Sequence, residues 1–217
     1  MMRNWVILGA GNLIRDLQEA IMACNDTLEA VVTNQPLAQD LQRKITVPII
    51  ELKDFQFKPD LFYIFGFLNP NKESFLAELR NNGLETTKKF RLGFPCFENL
   101  IHPKAYIPDT SDLGVGNYFG PMSVVGPSAK IGNFNYINRC ASIGHDTQIG
   151  DFNHFGPGAV ICGNCSVGSK NYFGANSTLI DGKILANEIT IGAGGLVRTT
   201  LLEPGTYVGV PVKKLAV

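Results

Sequence analysis

From residue 101 onward every sixth residue is apolar: Ile101, Ile107, Leu113, Phe119, Val125 and so on, 17 positions without a break to Val197. Because the whole chain is 45% apolar, agreement at 17 independent positions has a chance probability on the order of 10⁻⁶ before the choice of phase, so the pattern is a structural repeat. The next position is Gly in ten of the 17 units, including Gly114, Gly120, Gly126 and Gly132. Position five is small or Asn in the first 13 units, from Ala105 to Ser177.

A period of six belongs neither to a helix nor to a simple strand. It requires a chain that turns a corner every six residues, with two or three residues flat on a face, the apolar one inward, and Gly relieving the backbone at or near the bend. Three corners close a coil of 18 residues, and coils stack at the inter-strand distance of about 4.8 Å. Five to six coils result. The columns Ile101, Phe119, Ile137, Phe155, Phe173, Ile191, then Ile107 through Val197, then Leu113 through Leu185 form the core of a prism.

Nineteen Lys and Arg balance 19 Asp and Glu among 217 residues, and no basic run is dense enough for a nucleic-acid face. The apolar run near the N-terminus is too short for a signal peptide or a membrane span, so a cytoplasmic protein with no membrane partner is expected. Five cysteines, an odd number without a secretion signal, argue for free thiols. Cys162 and Cys165 have the spacing of half a zinc site, but Cys165 occupies the small inward position and no second pair exists, so no metal is expected.

Residues 1–99 read as a small α/β domain with a mostly parallel sheet of four or five strands. A strand at 4–8 leads into Gly9-Ala10-Gly11, a helix at 13–22 and a strand at 29–33. Further strands are expected at 48–52, 60–65 and 85–88, with a helix at 72–82 capped by Asn71 and ended by Gly83. The glycine turn suits an anion at converging N–H groups, or is a bare structural turn; Ile14 and Thr33-Asn34 depart from a dinucleotide fingerprint. No flexible linker precedes residues 100–202, the repeat domain, and the two domains are expected to dock rigidly. Residues 203–217 form a tail that covers the end of the coils.

The three histidines are His102, His145 and His154. His145 and Asp146 take positions three and four of their unit, the outward corner, and His154 follows half a coil later. Imidazole is the side chain whose ordinary pKa suits taking a proton at neutral pH, and an adjacent carboxylate fixes its tautomer. His145 is therefore a candidate base with Asp146 as orienter; a surface pair without a task is the competing reading. His145 of one chain and His154 of a neighbour could line one groove if three prisms pack side by side. A zinc lyase would use the same residue type, but His102 lies more than two coils from His145, roughly 10 Å or more along the axis by strand spacing, too far to share an ion.

The chain resembles the sugar acyltransferases that join a Rossmann-like domain to a left-handed β-helix, among them the nucleotide-amino-sugar N-acetyltransferases and the sialic-acid O-acetyltransferases. The resemblance is carried by Ile7-Leu8-Gly9-Ala10-Gly11, Leu100-Ile101-His102-Pro103, Ile143-Gly144-His145-Asp146, Ile149-Gly150-Asp151-Phe152-Asn153-His154, Ile191-Gly192-Ala193-Gly194 and Val208-Gly209-Val210-Pro211. It implies His145 as general base, Asp146 as its partner and His154 as a contact to the acetyl-CoA thioester, with backbone groups of Ala175 and Ala193 holding the pantetheine arm. It implies a nucleotide-linked amino sugar, a 4-amino-4,6-dideoxy sugar of bacterial surface glycans, bound near Gly11, Asn12, Thr33 and Asn34. It also implies a homotrimer with sites between subunits and direct attack on the thioester. A sialic-acid type O-acetyltransferase and a non-catalytic trimeric scaffold are the alternatives.

Overall fold

A computed structural model describes residues 2–9, 11, 13–58, 60–67, 75, 78–79 and 97–216. The chain divides into two compact units, Met1–His102 and Pro103–Val217.

In the first unit, β1 (Asn4–Leu8), β2 (Thr27–Thr33), β3 (Ile49–Glu51) and β4 (Phe62–Phe65) form a parallel sheet in the order β3-β2-β1-β4. The central strand β1 is buried from Trp5 to Leu8, as a strand covered on both faces must be. Helix α1 (Ile14–Ala23) turns Ile14, Leu17, Ala20 and Ile21 inward at helical spacing and packs on β1 and β2. It ends where Asn25 takes φ 57°, a left-handed residue that reverses the chain into β2. Sequence periodicity missed two short pieces, α2 (Gln39–Gln42) and a 3₁₀ turn at Leu52–Asp54. The expected strand at 85–88 lies outside the described residues. So does most of the expected helix at 72–82, of which Phe75, Glu78 and Leu79 are helical.

The entry to this sheet is tied by one carboxylate. Asp26 accepts from the Arg3 backbone N–H and from Trp5 Nε1, each at 2.9 Å, and the Trp5 ring is fully buried. Replacing Asp26 with Ala strands the indole donor, which costs about 2 kcal/mol. A urea titration is expected to show a lower midpoint with the slope unchanged.

The second unit is a parallel β-solenoid. Strands pair with a constant offset of 18 residues, as in Tyr136↔His154, Ser142↔Val160 and Gln148↔Ser166. The second face stacks five strands, from Val124–Val125 to Leu196–Val197, and the third stacks five, from Asp112–Leu113 to Ile184–Leu185. On the first face Tyr118–Phe119, Tyr136–Ile137, His154–Phe155, Tyr172–Phe173 and Ile189–Ile191 follow one another. Inward residues of all three faces, such as Phe119, Ile137, Phe155, Ile161 and Leu185, make one core. Ile101 is the exception among the sixth residues: it heads the series and is 38% exposed.

The corners differ from the expectation in one respect. The left-handed residue of each corner is position four, occupied in unbroken steps of six by Gly116, Met122, Ser128, Phe134, Cys140, Asp146 and their successors to Gly194. Most of these are not glycine. The glycines at position two serve close approach instead: a Cβ on Gly126 would stand 2.5 Å from the His145 backbone nitrogen, and one on Gly120 2.8 Å from that of Arg139. They make room for the next coil rather than for a bend.

A ladder of asparagines runs inside the solenoid at 18-residue spacing. Asn117, Asn135, Asn153 and Asn171 are all buried. The Oδ1 of each accepts from the backbone N–H one coil later, at 2.8 Å in every case: Asn135, Asn153, Asn171 and finally Ile189. Nδ2 of Asn117, Asn135 and Asn153 donates to a carbonyl 15 residues on, that of Gly132, Gly150 and Gly168. Beyond the last coil, Gly205–Gly209 adds in parallel to Ile189–Ile191 and returns as an antiparallel pair with Val212–Lys214. Among the described residues no helix is long and apolar enough to cross a membrane.

Candidate active site

His145 sits where the strand Ser142–Ile143 ends and the chain turns toward Gln148–Ile149, so it projects from the corner between the second and third faces. Its backbone is held from both sides. Its carbonyl accepts from Asn164 N–H at 2.9 Å, and Asp146 N–H donates to the Pro127 carbonyl at 3.0 Å. The buried Thr147 hydroxyl donates to the Cys162 carbonyl at 3.0 Å, which ties the same corner to the next coil.

Asp146 has φ 55°, a region that Asp tolerates better than most residues. That backbone brings its Oδ2 to 2.8 Å from His145 Nδ1, with the two side chains 55% and 57% exposed. A carboxylate at Nδ1 selects the tautomer in which Nδ1 carries the proton, so the lone pair lies on Nε2 of a half-exposed ring. Such a nitrogen can take a proton from an incoming amine or hydroxyl.

His154 lies on a different side of the same prism. It belongs to the first face, 6% exposed, with its ring parallel to those of Tyr136 (centroids 5.2 Å apart) and Tyr172 (4.8 Å). One chain therefore does not bring His145 and His154 into one site. Ala175 and Ala193 follow strands of the first face by one coil's spacing and stack at its corner with the second face, the carbonyl of Ala175 accepting from Gly194 N–H at 2.8 Å.

In the first unit a cleft of about 710 Å³ opens beyond the C-terminal ends of β2 and β3, lined by Thr33, Asn34, Leu37, Glu51, Lys53 and Glu78 among others. This is the end of a parallel sheet where α/β folds bind ligands. Thr33 uses its hydroxyl locally, accepting from Gln35 N–H at 3.1 Å and donating to the Gln35 carbonyl. Asn34 donates its amide to Glu78 Oε2 at 2.5 Å. Gly11 is elsewhere, at the turn after β1, where the close approach of Gly66 and Phe67 leaves no room for a side chain. Asn12 lies outside the described residues. Sequence reading missed Glu51, Lys53 and Glu78; the signal available was the end of the edge strand, which must open beside Thr33.

Four of the five cysteines lie among the described residues. The four described are free thiols, and burial pushes the Cys165 thiol above its ordinary value, away from thiolate chemistry. Among the described residues no group of three or more His, Cys, Asp or Glu is placed to hold a metal ion.

Along the chain, then, a parallel α/β unit is followed by a parallel solenoid of 18-residue coils with an exposed His-Asp pair on one corner. The family model for the bacterial transferase hexapeptide, six repeats, matches residues 146–181, the length of two coils beginning at Asp146. Among solved structures, a histidine-to-asparagine mutant of perosamine N-acetyltransferase from Caulobacter crescentus, in complex with CoA and GDP-perosamine, is 25% identical. That likeness covers 100% of this chain and 98% of the other, with a TM-score of 0.82. The acetyltransferase domain of PglB from Neisseria gonorrhoeae, in complex with acetyl coenzyme A, shares the fold at 20% identity and a TM-score of 0.80, over 99% and 100% of the two chains. WeeI from Acinetobacter baumannii does so with the same identity, coverage and TM-score. A search of curated proteins by sequence gives no match. The chain thus carries a stretch of bacterial transferase hexapeptide repeats and shares its fold from end to end with these acetyltransferases.

Proposed function

We propose that this protein transfers the acetyl group of acetyl-CoA to the amine of a nucleotide-linked amino sugar, a 4-amino-4,6-dideoxy sugar, in glycan biosynthesis. The observation that carries this reading is the end-to-end likeness to an N-acetyltransferase bound to CoA and GDP-perosamine. His145 Nε2 accepts a proton from the sugar amine as its nitrogen attacks the thioester carbonyl carbon. The C–S bond then breaks, and the departing thiolate of coenzyme A takes up a proton. Asp146 keeps Nδ1 protonated and steadies the imidazolium that forms, as the 2.8 Å contact supports.

The acceptor's nucleotide occupies the cleft beside Thr33 and Asn34, and the donor runs past His154, Ala175 and Ala193. Because His145 and His154 lie on different sides of one prism, the complete site forms between subunits of a homotrimer. Light scattering is the check on that point, with three times the chain mass expected. Both substrates belong to the cytoplasm, and the enzyme is placed there.

The deciding experiment is a thiol-release assay with acetyl-CoA against UDP-, dTDP- and GDP-linked amino sugars and free sialic acid. Release with an amino sugar is expected; release with sialic acid alone would transfer the assignment to oxygen. Asp146→Asn is expected to lower kcat about 10- to 100-fold with little change in KM, since the base remains but its orientation and charge support are lost.

A further inference from the structure

Gly163 stands one coil beyond His145, at the same third position of its hexapeptide. Among the 17 units it is the single glycine at that position, where the others carry residues such as Pro, Asp, Asn, Ser and Ala. Nothing in its backbone calls for glycine, because its φ lies outside the left-handed range. The reason is the imidazole. A Cβ at Gly163 would stand 2.6 Å from His145 Nε2, 2.8 Å from Cε1 and 3.0 Å from Cδ2, and these three are its nearest atoms. The three near-equal distances set that Cβ against the face of the ring at its Nε2 end, while Asp146 holds Nδ1. Neither backbone can yield easily: Asn164 N–H grips the His145 carbonyl at 2.9 Å, and Gly182 N–H grips the Gly163 carbonyl at 3.0 Å.

We propose that Gly163 is a positioning residue whose missing side chain is the seat of the His145 ring and sets the direction of Nε2. The ring is held at two points, by the Asp146 carboxylate at Nδ1 and by the bare Cα of Gly163 against its face at the Nε2 end. A methyl group at Gly163 forces the imidazole to swing, so that either the Asp146 contact opens or Nε2 points away from the acceptor. The proposal rests on the reading of His145 as the base, and its test separates the two.

The test is Gly163→Ala, read in three ways. Imidazole ¹H–¹⁵N spectra of the full chain, which need no substrate, are expected to show the His145 resonances displaced and those of His102 and His154 unmoved. The melting midpoint should stay within about 2 °C of the parent, because the added methyl group meets nothing before the ring. With a productive acceptor, kcat should fall about 10- to 100-fold at unchanged donor KM, as expected when a catalytic group is displaced by about 1 Å. In a His145→Ala background the same substitution should cost nothing further, the signature of two residues acting as a unit. Unmoved His145 resonances overturn the proposal, whether or not stability falls, as does an equal loss of kcat in both backgrounds. Displaced resonances in a chain whose kcat is unaffected by His145→Ala would keep the seat and reject the base.

Discussion

Alanine in place of His145 is expected to lower kcat by a factor of about 10² to 10⁴, the range spanned by removal of a general base, with KM for acetyl-CoA nearly unchanged. The side chain reaches outward from a corner whose backbone is fixed by hydrogen bonds on both sides, so its loss removes a proton acceptor without loosening the solenoid. It fills no core space, and the melting midpoint should stay where it is. Asn at the same position keeps a polar side chain and hydrogen-bonding capacity but offers no basic nitrogen, so His145→Asn should be as slow as the alanine variant. Equal activity of parent and variants with the true acceptor would reject His145 as the base. A loss confined to KM would make it a binding residue.

The largest effect on stability is expected inside the solenoid, from Asn153→Ala. Its Oδ1 accepts from Asn171 N–H at 2.8 Å, and its Nδ2 donates to the Gly168 carbonyl at 2.9 Å and to Asn135 Oδ1 at 3.1 Å. Alanine leaves the first two of those partners without the bond Asn153 supplied. Each orphan costs about 1–3 kcal/mol, and the total is about 4 kcal/mol, which is large beside the usual stability of a domain. Denaturant titration should show the drop, and hydrogen exchange should place it at the Asn171 amide, with the distant tail strands protected as before. A cost below about 1 kcal/mol would mean that water satisfies these groups as well as the ladder does.

The solenoid was legible because its signal is redundant: seventeen apolar residues, ten glycines and thirteen small or Asn side chains repeat one instruction. The pair at His145 and Asp146 was legible for a related reason, since a fixed period says which residues face outward at a corner. The meaning of the glycines was not. Sequence shows that Gly126 and Gly132 recur, but whether a glycine serves a bend or a neighbour's approach depends on the chain 18 residues away. Gly163 was overlooked on the same ground, although its uniqueness at position three was visible. In the α/β unit the strands could be read from their apolar runs, while the cleft could not. It is made by chain ends that meet only after β2 and β3 are paired.

The asparagine ladder has one more consequence. A repeat of six residues is ambiguous, because a coil displaced by a single face would still set apolar residues inward and glycines against backbone. The fifth positions remove that ambiguity. Those leading into the first face are Asn117, Asn135, Asn153 and Asn171; those leading into the second include Ser123, Ala141, Ala159 and Ser177; and those leading into the third include Ala129, Thr147 and Cys165. A slip of six residues would set each Asn beside a Ser, Ala, Thr or Cys with no amide oxygen for the Nδ2 bond that Asn135 and Asn153 make to the preceding Asn, whereas a slip of 18 is stopped by the ladder's finite length. The hexapeptide thus specifies a kind of polymer, and the asparagines supply the index that makes it one molecule.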